Sequence, residues 1–168
     1  MKAECPSAAD QFEKLYLLYH EALGRYLYRL VDRTDLADDL THDVFIRLHR
    51  QLQIDVQLQN PRAWLYSVAT HAAYNHIRRE RRLAVLIRDR MPLMNHTVSP
   101  DREYDRDEQR AMARQAVSRL PVREQILLQL FQDGLSYAEI AVAVNLNPVS
   151  VGKLLSRAIE KCARSVKR

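Results

Sequence analysis

The stretch from Leu120 to Lys161, LPVREQILLQLFQDGLSYAEIAVAVNLNPVSVGKLLSRAIEK, constrains this chain more than any other. Val122, Ile126, Leu127, Leu130 and Phe131 recur at helical spacing and predict one apolar stripe. Pro121 stands at the first turn of that helix and Gly134 just past its end, the positions each residue prefers. Ser136 opens a second, short helix, and Glu139 three residues later completes a capping box. Asn145 falls where the chain must turn sharply, and Asn tolerates a left-handed backbone. Asn147 and Pro148 then start a third helix in the order N-cap, N1. Two short helices, a tight turn and a third helix make a helix-turn-helix, whose last helix is the candidate for a DNA major groove.

That last helix divides into two faces. Val151, Leu155, Ala158 and Cys162 share one side and should pack inward. Val149, Lys153, Ser156 and Glu160 lie opposite, with Ser150 and Arg157 on the flank. A plain bundle helix is amphipathic too, and Gly152 and Leu154 are poor choices for touching phosphate. The capping box, the turn and the Asn-Pro start decide for the DNA-reading assignment.

Composition sets the class. Only 3 Gly and 6 Pro in 168 residues, with few β-branched runs, predict a mostly helical protein. A net charge of +5 suggests a polyanionic partner. Cys5 and Cys162 lie near opposite ends without metal spacing, so a reducing cytoplasm is the expected setting. No apolar run reaches the roughly 18 residues of a membrane span, and the polar start MKAECPSAADQFEK does not read as a signal peptide.

From Asp10 to Val31, Phe12, Leu15, Tyr16, Tyr19, Leu23, Tyr26, Leu27 and Leu30 predict an amphipathic helix, with Tyr16, Tyr19, Tyr26 and Tyr28 in its core. A second helix starts at Thr34 or Asp35, runs to about Leu52, and turns Leu36, Leu40, Val44, Leu48 and Leu52 inward. Asp35, Asp38, Asp39 and Asp43 place four carboxylates in nine residues with no basic residue between them. Acids near a helix N-terminus complement its dipole, but four exceed that need and read as a docking face for a basic partner. His42 and His49 stand seven apart, which is not a helical metal-ligand spacing, so no metal or other cofactor is expected.

After a polar loop, Asn60 and Pro61 start a third long helix, NPRAWLYSVATHAAYNHIRRERRL. Leu65, Ala69, Ala73 and Ile77 should face the core, with His71, Asn75, Arg78 and Arg82 opposite and Trp64 and Val68 extending that outer face. From Pro61 to Arg90 there are 7 Arg against Glu80 and Asp89, a balance of +5. Aromatic, amide, imidazole and guanidinium groups on one face can stack on unpaired bases and follow a phosphate backbone. A solvated basic helix end is the simpler reading, but the polar base-readers upstream favour nucleic acid. Residues 91–107 lose periodicity and turn acidic, as a flexible linker would, and helix resumes at Glu108. The expected fold is therefore all-α: a helical domain over 1–90, a linker over 91–107, and a helix-turn-helix domain over 108–168.

Three segments in this order, DLADDLTHDVFIRLHR, NPRAWLYSVATHAAYNHIRRERR and the helix-turn-helix stretch, make the chain similar over nearly its whole length to the extracytoplasmic-function sigma factors of bacterial RNA polymerase. The resemblance implies that Asp38, Asp39, Leu40, His42 and Asp43 dock on core polymerase. It implies that Trp64, His71, Asn75, Arg78, Arg79 and Arg82 contact and open the −10 promoter element. It further implies that Gly152, Lys153, Ser156 and Arg157 read the −35 element as duplex, and that an anti-sigma protein holds the factor inactive. The chain departs from the family where His42 stands for the common Gln, His71 for Asn, Asn145 for the turn Gly, and Gly152 and Leu154 for Lys or Arg. The expected function is that of a non-enzymatic, cytoplasmic promoter-specificity subunit that binds core polymerase and promoter DNA and helps nucleate melting. A stand-alone helix-turn-helix regulator is the second reading, which the long third helix opposes. A helical metal-dependent nucleotide hydrolase is the third, and it lacks ligand spacing.

Overall fold

The computed structural model describes residues 7–55, 57–88 and 115–166, with the side chains of 84–88 and 166 excepted. All regular structure among them is helical: α1 (Ala8–Val31), α2 (Thr34–Ile54), α3 (Pro61–Arg88), α4 (Val122–Gln132), α5 (Tyr137–Val144) and α6 (Pro148–Val166). Residues 115–118 are also helical. The linker expected over 91–107 and the helix start at Glu108 fall outside the described residues.

α1, α2 and α3 pack on one another as the first unit. Ser7 caps α1 by a capping box with Asp10, and the helix stops at Asp32, whose left-handed backbone (φ 53°) returns its N–H to the carbonyl of Tyr28. Leu15, Leu23, Tyr26 and Leu27 fill the inner side of α1 as the periodicity predicts. Two of the four tyrosines depart from it. Tyr16 is 39% and Tyr28 41% exposed; Tyr28 stands about a third of a turn off the Leu23–Leu27 line, whereas Tyr16 lies along it but packs its ring against Phe12, His20 and Phe45. Tyr26 is buried, its hydroxyl hydrogen-bonded at 2.7 Å to that of Thr70 on α3, and its ring meets Tyr66 edge-on. α2 runs two residues beyond the expected end and buries Val44, Phe45, Leu48 and Leu52; Leu36 and Leu40 of the expected stripe are half-buried.

α4, α5 and α6 form the helix-turn-helix. Gly134 at φ 75° ends α4, with the N–H of Leu135 reaching back to Leu130. The Ser136–Glu139 capping box starts α5, and Asn145 at φ 52° ends it with the N–H of Leu146 on the carbonyl of Ala141. Both closures follow the Schellman pattern, which satisfies the orphan carbonyls of a helix end. Asn147 Oδ1 accepts from the N–H of Val149 at the start of α6. Val151, Leu155 and Ala158 are buried as expected. Phe131 is not; it is 46% exposed and meets Tyr137 at a ring separation of 6.3 Å.

The two halves do not stand apart. α5 packs along α3, α4 touches both α1 and α3, and one hydrophobic cluster runs from Leu23 and Leu65 to Leu130 and Ile140.

Candidate nucleic-acid and partner interfaces

Three outward faces carry the residues singled out by the sequence. On α2, Asp38, Asp39, His42 and Asp43 are exposed, and Leu40 is half-buried beneath them. Asp35 is neutralised by Arg33 at 2.8 Å, which holds its carboxyl below the ordinary range. None of the ion pairs among the described residues involves Asp38, Asp39 or Asp43. Three uncompensated carboxylates on one helix face keep their full field for an incoming cation. Beside them Phe12, Tyr16, His42, Phe45, Ile46, His49 and Arg50 line a shallow groove of about 320 Å³. Tyr16, displaced from the core, supplies one wall of it.

On α3, Asn60 Oδ1 caps the helix by accepting from the N–H of Ala63 at 2.9 Å. His71, Asn75, Arg78, Arg79 and Arg82 face outward, whereas Trp64 and Val68 are half-buried against the core. His71 Nδ1 lies 2.7 Å from the carbonyl oxygen of Ser67. A carbonyl only accepts, so Nδ1 carries the hydrogen in that bond. Asn75, one turn on, adds an amide with both donors and an acceptor. Glu80, the acid in the run, is turned aside by His76 at 3.1 Å and Arg33 at 3.6 Å. Among the described residues no ion pair uses Arg78, Arg79 or Arg82, so their positive charge is unspent.

On α6, Lys153, Ser156 and Arg157 are exposed in a row, and Val149 at the helix start is 87% exposed. Gly152 differs from them. It is half-buried, and a Cβ there would lie 3.2 Å from Cε2 of Tyr137, the first residue of α5. The glycine makes room for that ring. Lys161 pairs with Glu124, which ties the far end of α6 to α4.

Sequence reasoning missed a fourth cluster, between the halves. Asp133, the residue that caps α4, accepts from Arg29 of α1 and, at 3.2 Å, from the hydroxyl of Tyr66 of α3. Its backbone carbonyl accepts from Arg62 of α3 at 2.6 Å. Gln129 donates to the carbonyl of Arg29 at 3.1 Å. Burial pushes the Asp133 carboxyl above the ordinary range against the pull of Arg29, and pushes the Tyr66 phenol up to about 12, so it stays a donor. Gln129, a polar residue inside the apolar run of α4, was a signal for its own bond but not for those to Asp133.

Residues 15–83 match the family description Sigma-70 region 2, and residues 110–162 match Sigma-70, region 4. The chain belongs to the extracytoplasmic-function sigma factors. It is 30% identical over 159 residues to the ECF RNA polymerase sigma factor BldN of Streptomyces coelicolor, covering 93% of this chain and 60% of that one. The sigma factor is likewise 29% identical over 161 residues to the ferric citrate uptake sigma factor FecI of Escherichia coli, covering 93% of this chain and 91% of the relative. It is 28% identical over 153 residues to the RNA polymerase sigma factor YlaC of Bacillus subtilis, covering 89% and 88%. Its fold resembles that of the sigma factor RpoE of Bartonella quintana, solved in complex with the anti-sigma factor NepR, with a TM-score of 0.71, 22% identity and coverage of 93% and 96%. The match to region 2 sets aside the stand-alone regulator, which would not need it. The protein is a promoter-specific sigma factor of RNA polymerase.

Proposed function

We propose that this sigma factor divides its work among the three faces, within domains at 1–90 and 108–168 separated by a linker at 91–107. α2 docks on core polymerase through Asp38, Asp39, Leu40, His42 and Asp43. α3 takes the −10 element, with Trp64, His71 and Asn75 meeting unpaired bases and Arg78, Arg79 and Arg82 meeting phosphates. α6 reads the −35 duplex through Lys153, Ser156, Arg157 and the backbone at Gly152. The protein works in the cytoplasm, performs no catalysis of its own and needs no cofactor. An anti-sigma protein is its expected antagonist, as NepR is a partner of the Bartonella factor.

The observation that carries this reading is the uncompensated charge on opposite-signed faces. Carboxylates without counter-ions on α2 suit a basic protein surface, and arginines without counter-ions on α3 suit phosphate. The division also fits the chemistry of the targets. A helix in the major groove reads duplex, whereas strand opening needs surfaces that hold unstacked bases.

The test is run-off transcription with purified core polymerase on a randomised promoter pool. Enrichment of two short elements at a fixed spacing is the expected result. No enrichment, or enrichment without dependence on added core, would sink the assignment.

A further inference from the structure

The most exposed large apolar side chain among the described residues is Val149, at 87%, in the first turn of α6. We propose that Val149 reads the C5-methyl group of a thymine in the −35 element, close to a guanine read by Lys153. The inference rests on the assignment of α6 to the −35 duplex above and adds a specificity-determining residue to it.

Val149 contributes nothing to the core of the helix-turn-helix. Val151, Leu155 and Ala158 fill the inner side of α6, and Val149 lies across the helix from them. Its neighbours on the outer side, four and seven residues on, are Lys153 and Ser156, both exposed. The start of the helix is fixed by Asn147, whose Oδ1 accepts from the N–H of Val149 at 3.0 Å and whose carbonyl accepts from the N–H of Ser150 at 2.9 Å. Valine in a helix has one strongly preferred rotamer, so little side-chain freedom is lost when it meets a base edge. A lone exposed valine is ordinary on a protein surface. This one stands at the N-terminal end of the recognition helix, where helix-turn-helix side chains contact base edges.

Chemistry names the base. Thymine alone presents a methyl group in the major groove, and apolar side chains contact it there. Charge is divided along α6 in a way that suits such a contact. Towards its far end Lys161 pairs with Glu124, and Arg164 lies 4.0 Å from Glu160. Among the described residues no ion pair uses Lys153 or Arg157. The first two turns therefore offer an apolar group and a free cation, with no acid between them. A lysine that reads a base takes the O6 and N7 acceptors of guanine. Four residues at 1.5 Å each separate Val149 from Lys153 by about 6 Å along the axis, roughly two base-pair steps of 3.4 Å. The thymine and the guanine should thus stand within about two base pairs of each other.

The test uses holoenzyme reconstituted from the full chain and core polymerase, on the promoter most enriched from the randomised pool. Each thymine of the upstream element, on either strand, is replaced singly by deoxyuridine, which pairs as thymine does and lacks the methyl. Wild type should lose about three- to fivefold in promoter affinity at one thymine, the loss expected for one methyl-sized apolar contact. Val149→Ala should lose a similar factor on the unmodified promoter and be indifferent to uracil at that position. Val149→Ile should keep the wild-type sensitivity. 7-Deazaguanine, which lacks the N7 acceptor, locates the guanine of Lys153: its effect should vanish in Lys153→Ala and fall within about two pairs of the thymine. Residue 149 is exposed, so the variants should melt as wild type does. Uniform tolerance of uracil by wild type overturns the proposal, as does a uracil loss that persists in full in Val149→Ala. If Lys153→Ala with Arg157→Ala keeps the full upstream preference, the assignment of α6 fails and the proposal with it. If that variant loses the preference while Val149→Ala keeps its sensitivity to uracil, α6 reads the element and the valine assignment alone is wrong.

Discussion

At the scale of single residues, Gly152 is the position where packing and recognition meet. Glycine in a helix interior costs about 1 kcal/mol relative to alanine, so its presence early in α6 needs a reason. The Tyr137 ring supplies one, since a methyl at 152 would press within 3.2 Å of it. Tyr137 is 48% exposed and can yield by the few tenths of an ångström required, at some loss of packing. Gly152→Ala should therefore be close to neutral alone and stabilising by about 1 kcal/mol in a Tyr137→Ala background. Thermal denaturation of the four proteins in the cycle reads this directly. Equal effects in both backgrounds would show that the ring does not constrain residue 152.

At the scale of elements, the prediction for α2 is that charge reversal at Asp38 and Asp39 lowers affinity for core polymerase at least about tenfold, the effect of about 1.4 kcal/mol. Dichroism should be unchanged, because both side chains are exposed. Wild-type affinity in the double variant would remove α2 from the docking surface. For α3, His71→Ala with Asn75→Ala should leave core binding intact and slow opening of the −10 region about tenfold, as the loss of one stacked base would. Permanganate reactivity measures the opening, and a pre-melted bubble should restore activity. A double variant that opens duplex promoter as readily as wild type would leave these residues as scaffold. Much of this architecture is legible in the sequence for a local reason. Capping boxes, Asn-Pro starts and left-handed turns are written in a few adjacent residues, so the starts of α3, α5 and α6 are recoverable. Tyr28 and Phe131 depart from expectation because apolar spacing cannot tell the centre of a stripe from its rim, and Tyr16 because its ring turns to Phe12, His20 and Phe45. The bonds from Arg29, Arg62 and Tyr66 to Asp133 join residues far apart in sequence, and no local pattern announces them.

At the scale of the whole molecule, the two basic faces should fail differently. Lys153→Ala with Arg157→Ala removes base readout, where one good bidentate pair discriminates by about 1–3 kcal/mol. Transcription by the reconstituted holoenzyme should fall mainly on promoters with an intact upstream element, and scrambling that element should then matter little. Arg78→Ala with Arg82→Ala should depress all promoters and reduce the salt slope of binding by about one unit for each phosphate no longer neutralised. A Lys153/Arg157 variant that keeps the full wild-type preference for the upstream element would show that α6 does not read it. A single hydrophobic cluster passes through both halves, and that continuity reaches beyond DNA. Units that share a core melt together, whereas units that merely adjoin melt in turn. Scanning calorimetry of the free protein should give one endotherm whose calorimetric and van't Hoff enthalpies agree. Two separate endotherms would show that the cluster does not couple the halves.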